Sequence, residues 1–282
     1  MTEPLICVRN LCVDYPRAQV VKNVSFTLGQ ERLALVGESG SGKSMTARAL
    51  MGLVRKPGIV SADTLTFGQT PLLSLREKQW AALRGNDIAM IMQDPRYALN
   101  PVRNLYQQIE ESLLRHQTLN KSGRRDRVFE MARAAGLSEQ ALSRYPGQLS
   151  GGMGQRAMIA IALINNPSVL IADEPTSALD ARLRHQILEL IVSQCEERRM
   201  GLLLISHDLP LVAAHCQRVM VMYQGRQVDE LPAAQLPQAT HPYTRTLWTC
   251  RPDAQTYGTD LPVLDRTALQ ALLTQETHHA GE

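Results

Sequence analysis

The run Gly37-Glu38-Ser39-Gly40-Ser41-Gly42-Lys43-Ser44 fits G-x-x-x-x-G-K-[ST], a spacing suited to the phosphates of a nucleoside triphosphate. Glycines let backbone N–H groups curl around phosphate oxygens where a Cβ would obstruct. Lys43 would reach the β- and γ-phosphates, and the Ser44 hydroxyl would ligate Mg²⁺. Two carboxylates, Asp173 and Glu174, end the apolar run Val169-Leu170-Ile171-Ala172. Asp173 in that position suits Mg²⁺, and Glu174 beside the γ-phosphate suits proton acceptance from an attacking water. Gln93 follows the apolar run Ile88–Met92 and could reach both the metal and that water. His207 follows Leu202–Ile205 and could bridge Glu174 and the γ-phosphate. The candidate catalytic groups are therefore Glu174, His207, Gln93 and Lys43, with Ser44, Gln93 and Asp173 as Mg²⁺ ligands.

These residues need rigid elements to position them. Arg32–Val36 reads as a buried strand and Met45–Met51 as the start of a helix ending near Gly52, the context a phosphate loop requires. The helix N-terminus adds partial positive charge at the phosphates. Ile88–Met92, Val169–Ala172, Leu202–Ile205 and Val219–Tyr223 read as strands, with helices over Leu183–Glu197 and Leu209–Cys216. Short apolar strands alternating with helices predict a parallel sheet covered on both faces, an α/β fold. Leu5–Asp14 and Val20–Leu28 read as strands, and Val60–Thr70 as strand and turn. Between residues 95 and 150, Leu105, Ile109 and Leu113 recur every four residues, followed by Val128, Ala132 and Ala135, which predicts amphipathic helix. The basic run Arg124-Arg125-Asp126-Arg127 reads as its solvated side. From about Leu231 the chain turns Pro- and Gln-rich and loses periodicity, which predicts a tail lying over a partner or partly mobile. No internal repeat is visible, so one nucleotide unit is expected.

Composition narrows the class. The chain has 282 residues and a net charge of +3, a poor footprint for nucleic acid, and its 4% aromatic content argues against a base-stacking platform. Cys7, Cys12, Cys195, Cys216 and Cys250 are scattered without a CxxC pair, which predicts free thiols. Met1-Thr2-Glu3-Pro4 lacks a basic start and an apolar run, and no apolar stretch approaches membrane-spanning length. The expectation is a soluble, cytoplasmic chain, with any membrane part supplied by a partner.

Leu149-Ser150-Gly151-Gly152-Met153-Gly154-Gln155 opens a further helix with a second anion-binding terminus. One nucleotide does not need two cradles, so two chains sharing sites are suggested. With this run the sequence resembles the ATP-binding cassette (ABC) ATPases. Leu149–Gln155 is similar to their LSGGQ signature, with Met153 and Gly154 read as inserted before the Gln. Glu174–Asp180 resembles the stretch from the catalytic Glu into the D-loop, Gln93 the Q-loop and His207 the switch histidine. Tyr15, 22 residues before Gly37, is similar to the aromatic that stacks on adenine. The resemblance covers residues 5–250, with the motifs in family order.

The resemblance implies a P-loop NTPase (RecA-like) core with an N-terminal antiparallel β subdomain and an inserted helical subdomain. It divides the chain into residues 1–94, 95–150, 151–230 and a C-terminal extension, 231–282. It implies a head-to-tail dimer with a homologous ATPase or a second copy, in which Ser150, Gly151, Gly152 and Gln155 face the partner's ATP. Residues 37–44, Tyr15, Gln93 and Asp173 would hold this chain's own ATP and Mg²⁺. Two permease subunits, docked on residues 95–104, and indirectly a solute-binding protein complete the implied assembly at the cytoplasmic face of the cell membrane. Gln93-Asp94-Pro95-Arg96-Tyr97-Ala98-Leu99-Asn100-Pro101 and His241-Pro242-Tyr243-Thr244-Arg245-Thr246-Leu247 are similar to elements of peptide and nickel importers. Cys250 alone replaces the cysteine cluster some of those carry, so no iron–sulfur centre is expected, and His278 and His279 read as an inert pair. Met90-Ile91-Met92 and the short tail lean the solute toward nickel or a nickel–metallophore complex, with dipeptides and oligopeptides as the alternative. An ABC ATPase acting on nucleic acid is a remoter alternative, since no coiled coil, zinc insertion or second cassette is visible.

Overall fold

Alternation of side chains along four adjacent strands divides the protein's apolar residues between two cores. The computed structural model describes residues 3–177 and 179–251. A hairpin opens the chain, β1 (Ile6–Tyr15) and β2 (Ala18–Leu28), followed by β3 (Arg32–Val36) and helix α1 (Lys43–Leu50). Short strands β4 (Ile59–Ser61), β5 (Thr64–Phe67) and β6 (Thr70–Pro71) precede α2 (Glu77–Leu83) and β7 (Ile88–Ile91). Helices α3 (Pro95–Ala98), α4 (Leu105–Leu114), α5 (Lys121–Ala134) and α6 (Gly151–Leu163) form the helical region. The second half alternates β8 (Val169–Asp173), α7 (Ala181–Glu197), β9 (Gly201–Ile205), α8 (Leu209–His215) and β10 (Arg218–Tyr223), and ends with β11 (Arg226–Pro232) and α9 (Pro242–Thr249).

The main sheet runs β11-β10-β3-β9-β8-β7, parallel throughout except the β10–β11 hairpin. Ala34, Val36, Leu170, Ala172, Leu202, Leu204, Val219 and Val221 face one core, with the helical region. Leu33, Leu35, Val169, Ile171, Leu203, Ile205, Met220 and Met222 face the other, with α1 and the antiparallel strands. A period of two produces this division, and burial on both faces explains why these strands are apolar without alternation. The second sheet is antiparallel, ordered β2-β1-β5-β6, with β4 paired to β1. The expected α/β architecture with its antiparallel subdomain and helical insert is therefore present.

Two expectations change, and one element is new. Residues 231–251 are ordered against the rest of the protein: β11 runs to Pro232, and α9 buries Tyr243 and Thr244. The basic run on α5 is not simply solvated, because Arg124 bonds Glu110 and the Leu119 carbonyl while Arg127 bonds the Ile164 carbonyl and Asn166. Helix α2, held by Trp80 against Gly52, was not foreseen. Helix α6 packs on α3, α4 and α5 and also on β7 and α7. Of the cysteines, Cys195 and Cys216 are buried, and all five are free. Ala178, His278, His279 and residues 252–282 lie outside the described residues.

Ile109 on α4 shares one continuous core with Leu170 of the sheet. Ile109→Ala therefore lowers the unfolding free energy by about 2–5 kcal/mol. The loss moves the whole denaturant transition. A separate early transition that leaves the sheet folded would show that the helical region is an independent unit.

Candidate functional site: a phosphate loop beneath two carboxylates

The C-terminal ends of the parallel strands gather the candidate residues on one edge, where open α/β sheets place their ligands. β3 leads into the glycine loop, Gly37–Gly42, and α1 begins at Lys43. Gly37 has φ 145° and lies so close to β10 that a Cβ would sit 2.1 Å from the Met222 carbonyl oxygen. Gly42 caps α1 at φ 102°, where a Cβ would meet the Val20 carbonyl at 2.9 Å. No other residue type fits either place without movement. Glu38, Ser39, Gly40 and Ser41 complete the loop and line a small cavity with Tyr223 and Gln224.

Lys43 lies almost wholly buried beneath this loop. Its Nζ donates to the carbonyls of Gly37 at 2.9 Å and Glu38 at 2.8 Å, and to Ser41 Oγ at 3.3 Å. Burial lowers its pKa from the ordinary lysine value, while the carboxylates of Glu174, Asp173 and Glu38 oppose that shift. Ser44 Oγ donates to Asp173 Oδ1 at 2.8 Å, joining the loop to the end of β8. Burial raises the Asp173 pKa, and the bond from Ser44 opposes it. This pair offers oxygen donors of the kind Mg²⁺ selects.

Glu174 follows directly, at φ 47°, with its N–H bonded to the Ile205 carbonyl. A left-handed conformation at a non-glycine residue is strained, and such strain gathers at functional sites. Gln93 Nε2 donates to Glu174 Oε2 at 3.0 Å, and His207 Nδ1 stands 3.7 Å from the same oxygen. Glu174 thus sits between an amide from β7 and an imidazole from β9. Chemically, the edge offers an anion cradle, a buried cation, a hard-metal donor pair and a carboxylate flanked by two polar groups.

Tyr15 ends β1 on the hairpin that borders the loop, and its hydroxyl donates to the Arg55 carbonyl at 3.3 Å. Ser150 caps α6, accepting from the Met153 N–H at 3.4 Å. Gly151 faces Leu179, Gly152 faces Leu183 and Gly154 faces Pro95. Ser150 and Gly151 line a groove with Asp94–Arg96 and Pro146, not with the phosphate loop. The structure therefore brings together residues 37–44, 93, 173, 174 and 207, and leaves the α6 terminus elsewhere. Met153 and Gly154 both lie within helix α6, which runs without interruption from Gly151 to Leu163. Gln155 is 1% exposed and lines the same groove as Ser150 and Gly151.

Sequence reasoning missed Arg184, whose Nη1 donates to Asp208 Oδ2 at 3.2 Å. Asp208 also caps α8 through the Leu211 N–H, which fixes the turn carrying His207. The Asp-Leu-Pro run after His207 was the available signal, since Asp before a first-turn Pro marks a helix start.

Known proteins decide the family. Residues 21–177 match the model of the ABC transporter family. The chain belongs to that family. It is 45% identical over 83% of its length, and 72% of the relative's, to the Dipeptide transport ATP-binding protein DppD of Haemophilus influenzae. It is 44% identical over 82% of its length, and 72% of the relative's, to the Oligopeptide transport ATP-binding protein AppD of Bacillus subtilis. Its fold matches a dimeric post-hydrolysis ATP-binding cassette bound to ADP and Pi, with TM-score 0.70 and 27% identity, covering 81% of this chain and 98% of that one. This ABC chain is an ATP-binding ATPase. None of its helices, among the described residues, is long and apolar enough to cross a membrane.

Lys43→Ala removes the buried cation. ATP affinity, read by equilibrium titration, falls by at least about tenfold, since charge-assisted hydrogen bonds contribute about 1.5–3 kcal/mol. Unchanged affinity in a folded variant would remove Lys43 from the phosphate site.

Proposed function

We propose that this chain is the ATP-hydrolysing subunit of a membrane importer for peptides. The observation that carries the mechanism is the position of Glu174 between Gln93 and His207, on the residue after Asp173. In this reading residues 37–44 cradle the phosphates of ATP and Tyr15 stacks on its adenine. Ser44, Asp173 and the amide oxygen of Gln93 hold Mg²⁺, which supplies charge neutralisation at the phosphates when bound. The Gln93 bond to Glu174 uses the amide nitrogen and leaves that oxygen for the ion. Glu174 accepts a proton from the attacking water, Gln93 orients that carboxylate, and His207 holds the γ-phosphate. Lys43 exchanges its loop carbonyls for phosphate oxygens.

Ser150, Gly151 and Gly152 serve the ATP of a second cassette in a head-to-tail dimer. Their separation from the phosphate loop supports this reading, as does the dimeric cassette whose fold matches. The second cassette is a homologue or another copy of this chain. Two permease subunits supply the membrane path, and a solute-binding protein acts through them. The chain then sits peripherally at the cytoplasmic face of the cell membrane.

The relatives named for dipeptides and oligopeptides support peptides as the solute. Of the methionines that lean the sequence reading toward nickel, Met90 packs against the second core, while Met92 is exposed. Uptake of labelled dipeptide in cells with and without the gene tests the solute. Peptide uptake lost with the gene, and nickel uptake kept, is the expected result. The reverse pattern would restore the nickel reading and leave the ATPase mechanism intact.

Glu174→Gln keeps the shape of the side chain and removes its basicity. Turnover falls by at least about 100-fold, within the range for a lost general base. ATP binding persists. Hydrolysis at the wild-type rate would exclude Glu174 as the proton acceptor.

A further inference from the structure

The segment His241–Leu247 has no part in the chemistry above, yet it touches the phosphate loop. Tyr243 on α9 is fully buried, with its ring packed on Tyr223 at a centroid separation of 4.7 Å and 54° between planes. Its hydroxyl oxygen accepts the backbone N–H of Glu38 at 3.1 Å. Glu38 is the second residue of the loop, and its carbonyl accepts the Lys43 ammonium at 2.8 Å and the Ser41 N–H at 3.1 Å. The Gly37–Glu38 peptide is thus held from the lysine beneath it, whose ammonium donates to the Gly37 carbonyl at 2.9 Å, and from the C-terminal helix beside it, through the Glu38 N–H.

The helix is independently anchored. Thr244 Oγ1 donates to Asp229 Oδ2 on β11 at 2.6 Å. Tyr223, which carries the Tyr243 ring, follows Met222, whose carbonyl fills the space beside Gly37. In the same hairpin, the Gly225 N–H donates to the Ser41 carbonyl at 3.0 Å. The outer wall of the phosphate loop is therefore built from the β10–β11 hairpin and α9.

We propose that Tyr243 is a positioning residue for the phosphate loop, holding the Glu38 peptide in its ATP-ready arrangement before nucleotide arrives. The proposal rests on the reading of residues 37–44 as the ATP site. A loop with three glycines in eight residues loses much conformational freedom when it closes on an anion. Fixing one of its peptides in advance removes part of that loss from the binding step. The phosphates sit in the loop in the bound state and in the transition state alike. The contribution of Tyr243 therefore appears in affinity and KM and not in kcat.

Tyr243→Phe keeps the ring on Tyr223 and deletes only the hydroxyl. In the full-length chain we expect ATP Kd and KM to rise about fivefold or more, the scale of one lost hydrogen bond to a buried N–H. We expect kcat to stay within about twofold. Thr244→Val removes the anchor to Asp229 and leaves the Tyr243 hydroxyl in place, so it lowers the melting temperature and leaves KM unchanged. Tyr243→Phe with wild-type KM overturns the proposal. So does Thr244→Val raising KM as far as Tyr243→Phe, because general loosening of α9 would then explain both. The same titration measures the wild-type chain. If that chain bound no ATP, the nucleotide reading would fall together with the proposal, whereas normal wild-type binding beside an unaffected Tyr243→Phe counts against Tyr243 alone.

Discussion

Burial of a parallel sheet on both faces is the constraint from which the site follows. Strands such as Val169–Asp173 and Gly201–Ile205 are buried at every position, so polar chemistry has no place along their length. It is confined to the ends, and in a parallel sheet the ends that point the same way lie side by side. Asp173 closes β8, His207 follows β9 by two residues, Gln93 follows β7 by two, and the glycine loop leaves β3. Residues as distant in sequence as Ser44 and Asp173 meet at 2.8 Å because their strands must run together through an apolar interior. The two cores then fix the height of each strand, and so the register of the site.

The sequence exposed those features whose cause is local. The phosphate loop needs its glycines at fixed spacing, and Gly37 and Gly42 prove to be places where a Cβ would strike backbone. The buried strands were legible as short apolar runs between turn signals. What stayed hidden depends on tertiary partners. Arg124 and Arg127 look solvated because a basic run carries no mark of the carbonyls that await it. Trp80 and α2 were missed because seven residues give too little periodicity to detect. Prolines interrupt the pattern after Leu231, so the sequence predicts a tail over a partner or partly mobile, yet within residues 231–251 Leu236 and Tyr243 are buried against the core.

The second anion-binding terminus divides the chain's chemistry. Ser150 at the start of α6 and the phosphate loop at the start of α1 are both helix N-termini with exposed or accessible donors, yet they line separate cavities. Helix α6 packs on the helical region, whereas α1 packs beneath the sheet's other face. A rigid connection through the sheet keeps them apart within one chain. A second chain in opposite orientation is the simplest way to bring such ends together over one nucleotide. In the proposed head-to-tail dimer, hydrolysis therefore depends on the association of two chains.

Electrostatics explains the shape of the loop. Lys43 is a buried cation close to Asp173 and Glu174, and burial alone would favour its neutral form. Those carboxylates oppose that tendency, and the carbonyls of Gly37 and Glu38 accept its protons. The same bonds draw the loop down onto the ammonium. Phosphate oxygens are stronger acceptors than carbonyls, since ionised partners make the shorter and stronger hydrogen bonds. An arriving triphosphate therefore replaces neutral partners with charged ones around a cation already in place. Burial raises the Asp173 pKa, and a divalent ion held at this carboxylate, as proposed, would favour its ionised form.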